Sequence, residues 1–121
     1  MLFLFMFIGD AQAQLAKKHV EITNEQASDI TIHCKSKDDD LGIHVISTDK
    51  SFGWGFRRNI WESTLFFCGF TTPKGRGVYD IYKLSRDLHR CNPNNTCYWD
   101  VTDDGVHGYN GDKMDILFQW Q

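Results

Sequence analysis

Apolar and polar residues alternate along most of this chain, in short stretches separated by turn-forming residues. Alternation with a period of two places apolar side chains on one face of an extended segment, which predicts half-buried β-strands. Leu41, Ile43 and Val45 are predicted to face the core, whereas His33 and His44 have the opposite parity in their strands and are predicted to face solvent. We predict about eight strands, at residues 20–22, 30–34, 41–45, 52–56, 66–70, 79–81, 98–102 and 114–120.

The segments between these stretches are rich in Asp, Asn, Ser, Gly and Pro, which favour turns. Only residues 84–90 have a helical pattern, of about two turns. Short strands at this spacing are typical of an all-β sandwich or barrel of antiparallel strands, here with one or two short helices. The predicted turns cover residues 24–28, 36–40, 47–51, 72–77, 92–96 and 103–112.

The composition narrows the class of protein. The 121 residues suffice for one domain, and a net charge of -3 argues against a nucleic-acid-binding surface, which needs a basic surplus. The same acidic balance argues against a membrane-active protein, which is usually cationic. Trp54 and Trp99 fall in strand-like stretches, and we predict that both pack in the core.

The first residues of the chain have the pattern of a secretory signal peptide. Residues 1–8 are all apolar, and Ala11 and Ala13 have the small-x-small spacing that signal peptidase reads. We predict cleavage after Ala13, one mature domain at residues 14–121, and secretion. The alternative is that the apolar residues form a buried N-terminal strand.

Four cysteines follow the predicted cleavage site, and an even number in a short exported chain indicates two disulfides. Their spacing lacks the paired ligands of a structural zinc site. The preferred pairing joins Cys34 to Cys97 and Cys68 to Cys91. Four cysteines allow three connectivities, and a bridge from Cys34 to Cys68 is the main alternative.

The segment from His33 to Gly42 resembles the central signature of the plant self-incompatibility S1 family, also called S-protein homologues. One departure is that Thr71 and Thr72 follow Phe70, where members often carry Trp. The resemblance implies a small secreted plant protein, an antiparallel β-sandwich stapled by two disulfides. Further matches lie at residues 20–24, 52–56, 64–70, 79–82, 86–87, 91–97, 99 and 104–105.

The resemblance also implies a function, because the best-understood members are stigma-secreted ligands of a pollen receptor in poppy. We therefore predict a monomeric, non-enzymatic ligand of a cell-surface membrane receptor in the apoplast. We expect no cofactor, no metal, no nucleic acid and no insertion into the membrane. Because loops on a rigid scaffold commonly carry recognition, the predicted receptor-binding residues are Asp49, Lys50, Lys74, Arg76, Asp104, His107 and Asp112.

Other polar residues suggest alternative chemistry. Residues 38–40 are three aspartates that could bind Ca²⁺, but further spaced oxygen donors are lacking, so we favour a solvated turn in which Asp40 ties down the corner at Leu41 and Gly42. Asn94 begins an N-glycosylation sequon.

The alternative function is a small secreted hydrolase or ribonuclease that uses histidines as acid-base groups. The candidate histidines are His19, His33, His44, His89 and His107.

Overall fold

The computed structural model describes residues 17–57, 64–91 and 94–121. The predicted signal peptide, residues 1–13, lies outside these residues. Strands are the main element of the described part of the chain, as the alternation predicts. Its elements are β1 (Lys18–Asn24), β2 (Ile30–Lys35), β3 (Asp40–Ile46), β4 (Ser51–Phe56), β5 (Leu65–Thr72), β6 (Gly75–Lys83), α1 (Leu84–Asp87), β7 (Thr96–Thr102), β8 (Gly105–Asn110) and β9 (Lys113–Gln119).

The strands form two sheets that pack face to face, so the predicted sandwich is confirmed. One sheet has the order β4-β1-β7-β8-β9 and the other the order β3-β2-β5-β6. Pairing is antiparallel except between β1 and β7, which run parallel in the middle of the five-stranded sheet. The prediction that all strands pair antiparallel is therefore wrong for this one pair, β1 with β7.

Aromatic side chains fill the space between the sheets. The ring of Phe56 contacts Tyr82 with centroids 4.7 Å apart, and Tyr79 stacks on Phe118 at 5.1 Å. Trp99 is 1% exposed, which confirms the prediction that it lies in the core. Trp54 is half-buried and packs against the same core. Burial of large apolar side chains of this kind is the dominant favourable term in folding.

Strand β8 lies inside the segment 103–112 that the sequence pattern predicts as one turn, so this prediction is wrong. The segment has little apolar alternation because glycines occupy two buried positions, Gly105 and Gly108. A Cβ at Gly108 would come within 2.7 Å of the Trp99 ring, and one at Gly105 within 2.0 Å of the Phe118 carbonyl oxygen. Close packing against β8 therefore requires glycine at these two positions. Because glycine has no apolar side chain, the alternation that predicts a strand is missing here.

Strand β3 also departs from the predicted parity. Leu41 packs against the core, but Gly42 lies in the left-handed region at φ +83° and interrupts the register between β2 and β3. Such a bulge changes the face on which all following residues lie. Ile43 therefore points outward at 68% exposure, and His44 points inward, where its ring stacks on Phe52 at 4.1 Å.

The preferred disulfide pairing is wrong, because the structure joins Cys34 to Cys68 and Cys91 to Cys97. Cys34 and Cys68 are direct partners on the neighbouring strands β2 and β5, with Cα atoms 4.0 Å apart. Direct cross-strand partners bring their side chains together. Cys97 lies in the other sheet, on β7, and therefore does not meet Cys34.

The predicted helix at 84–90 is present as one short turn, α1, followed by turn residues up to His89. It connects β6 of one sheet to the segment that leads into β7 of the other. Within the described residues, no helix is long and apolar enough to cross a membrane.

Candidate functional site

Four turns lie at one end of the sandwich, which we call the Gln26 end after the buried residue at its centre. They are the β1–β2, β3–β4, β5–β6 and β7–β8 turns, at residues 25–29, 47–50, 73–74 and 103–104. The strand directions place them there, because β1 pairs antiparallel with β4 and parallel with β7. Parts of the predicted turns 47–51, 72–77 and 103–112 are therefore gathered on one surface.

Asn24 organises the first two of these turns. It is fully buried, and its side-chain amide donates to the carbonyl oxygens of Ser28 and Ile46, each at 2.9 Å. Its side-chain Oδ1 accepts a bond from the Gln26 backbone N–H at 2.8 Å. Because every one of these partners is backbone, the side chain fixes the course of the main chain at the start of the β1–β2 turn and the end of β3.

Gln26 connects the turns of both sheets. Its Nε2 donates to Thr72 Oγ1 at 3.1 Å and to the Thr102 carbonyl oxygen at 2.9 Å, and its backbone carbonyl oxygen accepts from Thr48 Oγ1 at 2.9 Å. One buried side chain therefore holds the β5–β6 turn against the β7–β8 turn. Gln26 Oε1 is buried without a hydrogen-bond partner among the described residues. The bonds that Asn24 and Gln26 make to the turns nevertheless restrict the motion of these turns, so we infer that the Gln26 end is a rigid platform.

The predicted recognition residues are only partly brought together. Asp49, Lys50, Lys74 and Asp104 occupy exposed positions in turns of the Gln26 end. Arg76 and His107 lie in strands β6 and β8, close to where these strands meet that end. Asp112 lies in the β8–β9 turn, at the opposite end of the sandwich, so the structure separates it from the others. Sequence order alone could not show which turns share an end.

Glu25 is a member of this surface that the sequence analysis missed. The nearby carboxylate of Asp100, together with partial burial and the charge of Asp49, raises the pKa of Glu25, while His107 acts in the opposite direction. The pKa of Asp104 is lowered, because its carboxylate accepts hydrogen bonds from Thr102 and His107. Acidic groups are thus crowded on one side of the Gln26 end.

Replacing Glu25 by glutamine is expected to raise the melting temperature at pH 7. A pKa that is higher in the folded than in the unfolded chain means that ionisation destabilises the fold, so stability falls as pH rises through it. The gain should disappear below about pH 4, where Glu25 is protonated in both states. Thermal unfolding of Glu25→Gln and of the control Asp29→Asn, an exposed position in the same turn, from pH 3 to 8 measures this. An unchanged melting temperature for Glu25→Gln at pH 7 contradicts it.

Three histidines form pairs with carboxylates on the surface. His33 Nε2 lies 2.7 Å from Asp40 Oδ1, which also accepts a bond from the Gly42 backbone N–H at 2.9 Å. The role predicted for Asp40 at the Leu41–Gly42 corner is thereby confirmed, and these two bonds lower its pKa, the Gly42 bond most. The other pairs are His19 with Glu21 at 2.9 Å and His107 with Asp104 at 2.8 Å.

The aspartate segment at 38–40 forms a turn, in which the Ser36 backbone N–H donates to the Asp39 carbonyl oxygen at 2.8 Å. Among the residues that the structure describes, no group of three or more His, Cys, Asp or Glu side chains is arranged to hold a metal ion. Asn94 is exposed, between the two cysteines of the short disulfide. Its glycosylation stays a prediction.

Comparison with known proteins agrees with this architecture. The model of a family described as plant self-incompatibility protein S1 matches residues 19–120. S-protein homolog 24 of Arabidopsis thaliana is 40% identical over 104 residues, which are 84% of this chain and 67% of that protein. S-protein homolog 6 of the same plant is 39% identical over 104 residues, 84% of this chain and 74% of that protein.

A solved structure shows the same fold. It superposes with a TM-score of 0.58 at 16% identity, covering 87% of this chain and 90% of that one. That structure represents SPH (self-incompatibility protein homologue) proteins, described as a widespread family of small, highly stable, secreted proteins from plants. The family match over nearly the whole described chain, the identity to two homologues and the shared sandwich lead to one conclusion: this chain belongs to the plant self-incompatibility protein S1 family.

Proposed function

We propose that this protein is a secreted, non-enzymatic ligand that presents the Gln26 end to a cell-surface receptor. The observation that carries the proposal is the gathering of four turns on one surface, held by the buried side chains of Asn24 and Gln26. Binding residues lie commonly on loops that a rigid scaffold positions. A rigid platform also loses little conformational entropy when a partner binds it.

Secretion is supported by the two disulfides, which persist in oxidising compartments, and by the secreted character of the SPH neighbour. We propose that the ligand is a monomer, because both edges of the four-stranded sheet are partly covered. Gln121 bonds to the backbone of β6 at Arg76 and Val78, and the Asn24 amide covers the last carbonyl of β3. Covered edges do not add further strands readily.

The alternative of a secreted hydrolase is less well supported. Such an enzyme needs a histidine beside a nucleophile in a site that excludes water. Two of the three histidine pairs have carboxylates that also bond to neighbouring residues of a turn: Asp40 bonds to Gly42, and Asp104 bonds to Thr102. These contacts explain the two pairs as parts of the turns. The third pair, His19 with Glu21, lies within strand β1.

Cross-linking on living cells tests the ligand proposal. The purified, oxidised chain is added to plant cells and pollen, cross-linked at the surface, and the captured protein is identified while cytosolic calcium is recorded. We expect capture of one membrane protein. The variant Lys74→Glu, at an exposed turn of the Gln26 end, should reduce capture about tenfold, since charges at the rim of an interface govern association.

The matched control is Lys113→Glu, which makes the same charge change at the opposite end of the sandwich, where β9 begins. This variant should be captured like the wild type. Failure to capture a membrane protein from both reproductive and vegetative tissue would remove the support for a receptor ligand. Equal capture of Lys74→Glu and wild type would show that the Gln26 end is not the binding surface.

A further inference from the structure

The outer face of the four-stranded sheet carries exposed apolar side chains, two of which, Ile43 and Val45, the sequence pattern assigns to the core. Downstream of the bulge at Gly42, Ile43 and Val45 point outward at 68% and 64% exposure, and Val78 on β6 is 56% exposed. Single exposed apolar residues are ordinary, but several on one face indicate an interaction surface.

Ile43 and Val78 line a groove that crosses the sheet from the β3 edge to the β6 edge. The register aligns Ile43, His33, Gly69 and Val78 in one row across the four strands. Next to it, Val45, Thr31, Thr71 and Arg76 form a second row. The groove has a volume of about 660 Å³. We call it the sheet groove, with Thr31, Ile43, Gly69, Thr71, Arg76 and Val78 as its defining residues.

Gly69 creates the floor of the sheet groove. It lies on β5, in the interior of the sheet, where glycine is unfavourable because it adds no packing and loses much conformational freedom. A Cβ at this position would meet its nearest atoms, the His33 carbonyl oxygen and Val78 Cγ2, at 3.9 Å, an ordinary contact. The fold therefore does not need a glycine here, but an open groove does.

The charges along the groove select an anionic group at one end. Arg76 is exposed at the β6 edge, and its backbone carbonyl, not its guanidinium, bonds to Gln121. His33 is held by Asp40, and no carboxylate is among the side chains that line the groove within the described chain. A guanidinium at the rim of an apolar groove is suited to a carboxylate, which it can bind bidentately.

The size of the face favours a single segment over a second copy of the chain. Four strands and about six residues along each give a face of roughly 20 by 20 Å. The area of this face, roughly 400 Å², is about half of the roughly 800 Å² per partner that stable protein dimers bury. An extended segment of about five residues, in contrast, spans the width of the sheet.

We propose that the sheet groove binds an extended segment of the receptor, about five residues long, with apolar side chains against Ile43 and Val78 and a carboxylate at Arg76. The groove opens beside the β5–β6 turn, so it is continuous with the Gln26 end. The proposal takes the identity of its partner, a receptor, from the proposed function. The chemistry of the segment follows from the groove alone.

Selection from a random peptide library tests the groove without the receptor. Peptides displayed on phage are selected on the immobilised oxidised chain, and the affinities of the enriched sequences are measured with synthetic peptides. We expect enrichment of alternating β-branched residues with one Asp or Glu. Gly69→Val, which fills the floor, should weaken binding about tenfold, and so should Arg76→Glu.

Two controls separate the groove from other effects. Lys113→Glu makes a comparable charge change at the start of β9, outside the sheet groove, and should leave peptide affinity unchanged. Arg76→Glu should regain affinity for a peptide whose acidic residue is replaced by lysine. Near-UV circular dichroism of each variant should match the wild type, and Gly69→Ala provides a smaller filling of the groove if Gly69→Val unfolds.

Three results would overturn the proposal: no enriched sequence, equal affinity for wild type and the Gly69 variants, or a dimer in sedimentation that Gly69→Val dissociates. The last would make a second copy the occupant. The peptide selection does not depend on whether cells carry a receptor, and the cell experiment with Lys74→Glu does not depend on the groove. Failure of one proposal is therefore distinguishable from failure of the other.

Discussion

Replacing Asp87 by alanine is expected to lower the free energy of unfolding by about 3–5 kcal/mol. The carboxylate is completely buried at the end of α1. It accepts from Arg86 Nε at 2.9 Å, from Arg86 Nη2 at 2.7 Å and from the Lys83 backbone N–H at 2.8 Å, and Arg90 donates to it as well. Its removal leaves two arginines without their shared anion.

The two arginines also connect the two sheets, and this increases the loss of stability that we expect for Asp87→Ala. The Arg86 guanidinium lies 5.6 Å from the Trp99 ring centroid and 5.9 Å from that of Phe118, both in the five-stranded sheet. Arg90 forms a second ion pair with Asp115 on β9. Without Asp87, neither side chain is held in the geometry that these contacts require.

Denaturant unfolding of three variants measures this effect. Asp87→Asn keeps the shape and part of the hydrogen bonding, so it should cost less than Asp87→Ala. Asp115→Ala removes a carboxylate that is 28% exposed and bonds to the same Arg90, and should cost less than either. The buried carboxylate does not organise this region if the free energy of unfolding of Asp87→Ala lies within about 1 kcal/mol of the wild-type value. The same conclusion follows if Asp115→Ala lowers the free energy of unfolding more than Asp87→Ala does.

Loss of the Cys34–Cys68 disulfide is expected to cost about 4 kcal/mol, and loss of the Cys91–Cys97 disulfide about 2 kcal/mol. The two bridges close segments with sequence separations of 34 and 6. In the chain-entropy model, the longer loop restricts the unfolded chain more. Because a domain of this size has a net stability of about 5–15 kcal/mol, the first bridge supplies a large part of it.

The double variants Cys34→Ala with Cys68→Ala and Cys91→Ala with Cys97→Ala separate the two contributions in guanidinium unfolding. Peptide mapping without reduction should first recover a peptide that joins the Cys34 and Cys68 regions. If removing the Cys91–Cys97 bridge lowers the free energy of unfolding more than removing the Cys34–Cys68 bridge does, the short bridge stabilises the folded state by contacts and not by restricting the unfolded chain.

The candidate site could be predicted in part. Turn-forming residues correctly located Asp49, Lys50, Lys74 and Asp104 in exposed turns. Glu25 was missed because nothing in the residue pattern shows that Asp100, far away in the chain, lies beside it. The sheet groove was missed for a related reason: a glycine inside a strand pattern weakens the prediction of a strand and does not reveal what it leaves open.

The order of apolar and polar residues by itself determined the all-β class and the faces of strands such as β2, where the period of two is unbroken. The apolar start of the chain and its even number of cysteines predicted a secreted protein with two disulfides. Tertiary structure decided three other features: the parallel pairing of β1 with β7, the partner of each cysteine, and the reversal of parity after Gly42. The physical reason is the range of the interactions. Periodicity reports on each strand's own environment, whereas pairing and register depend on contacts between segments distant in the chain.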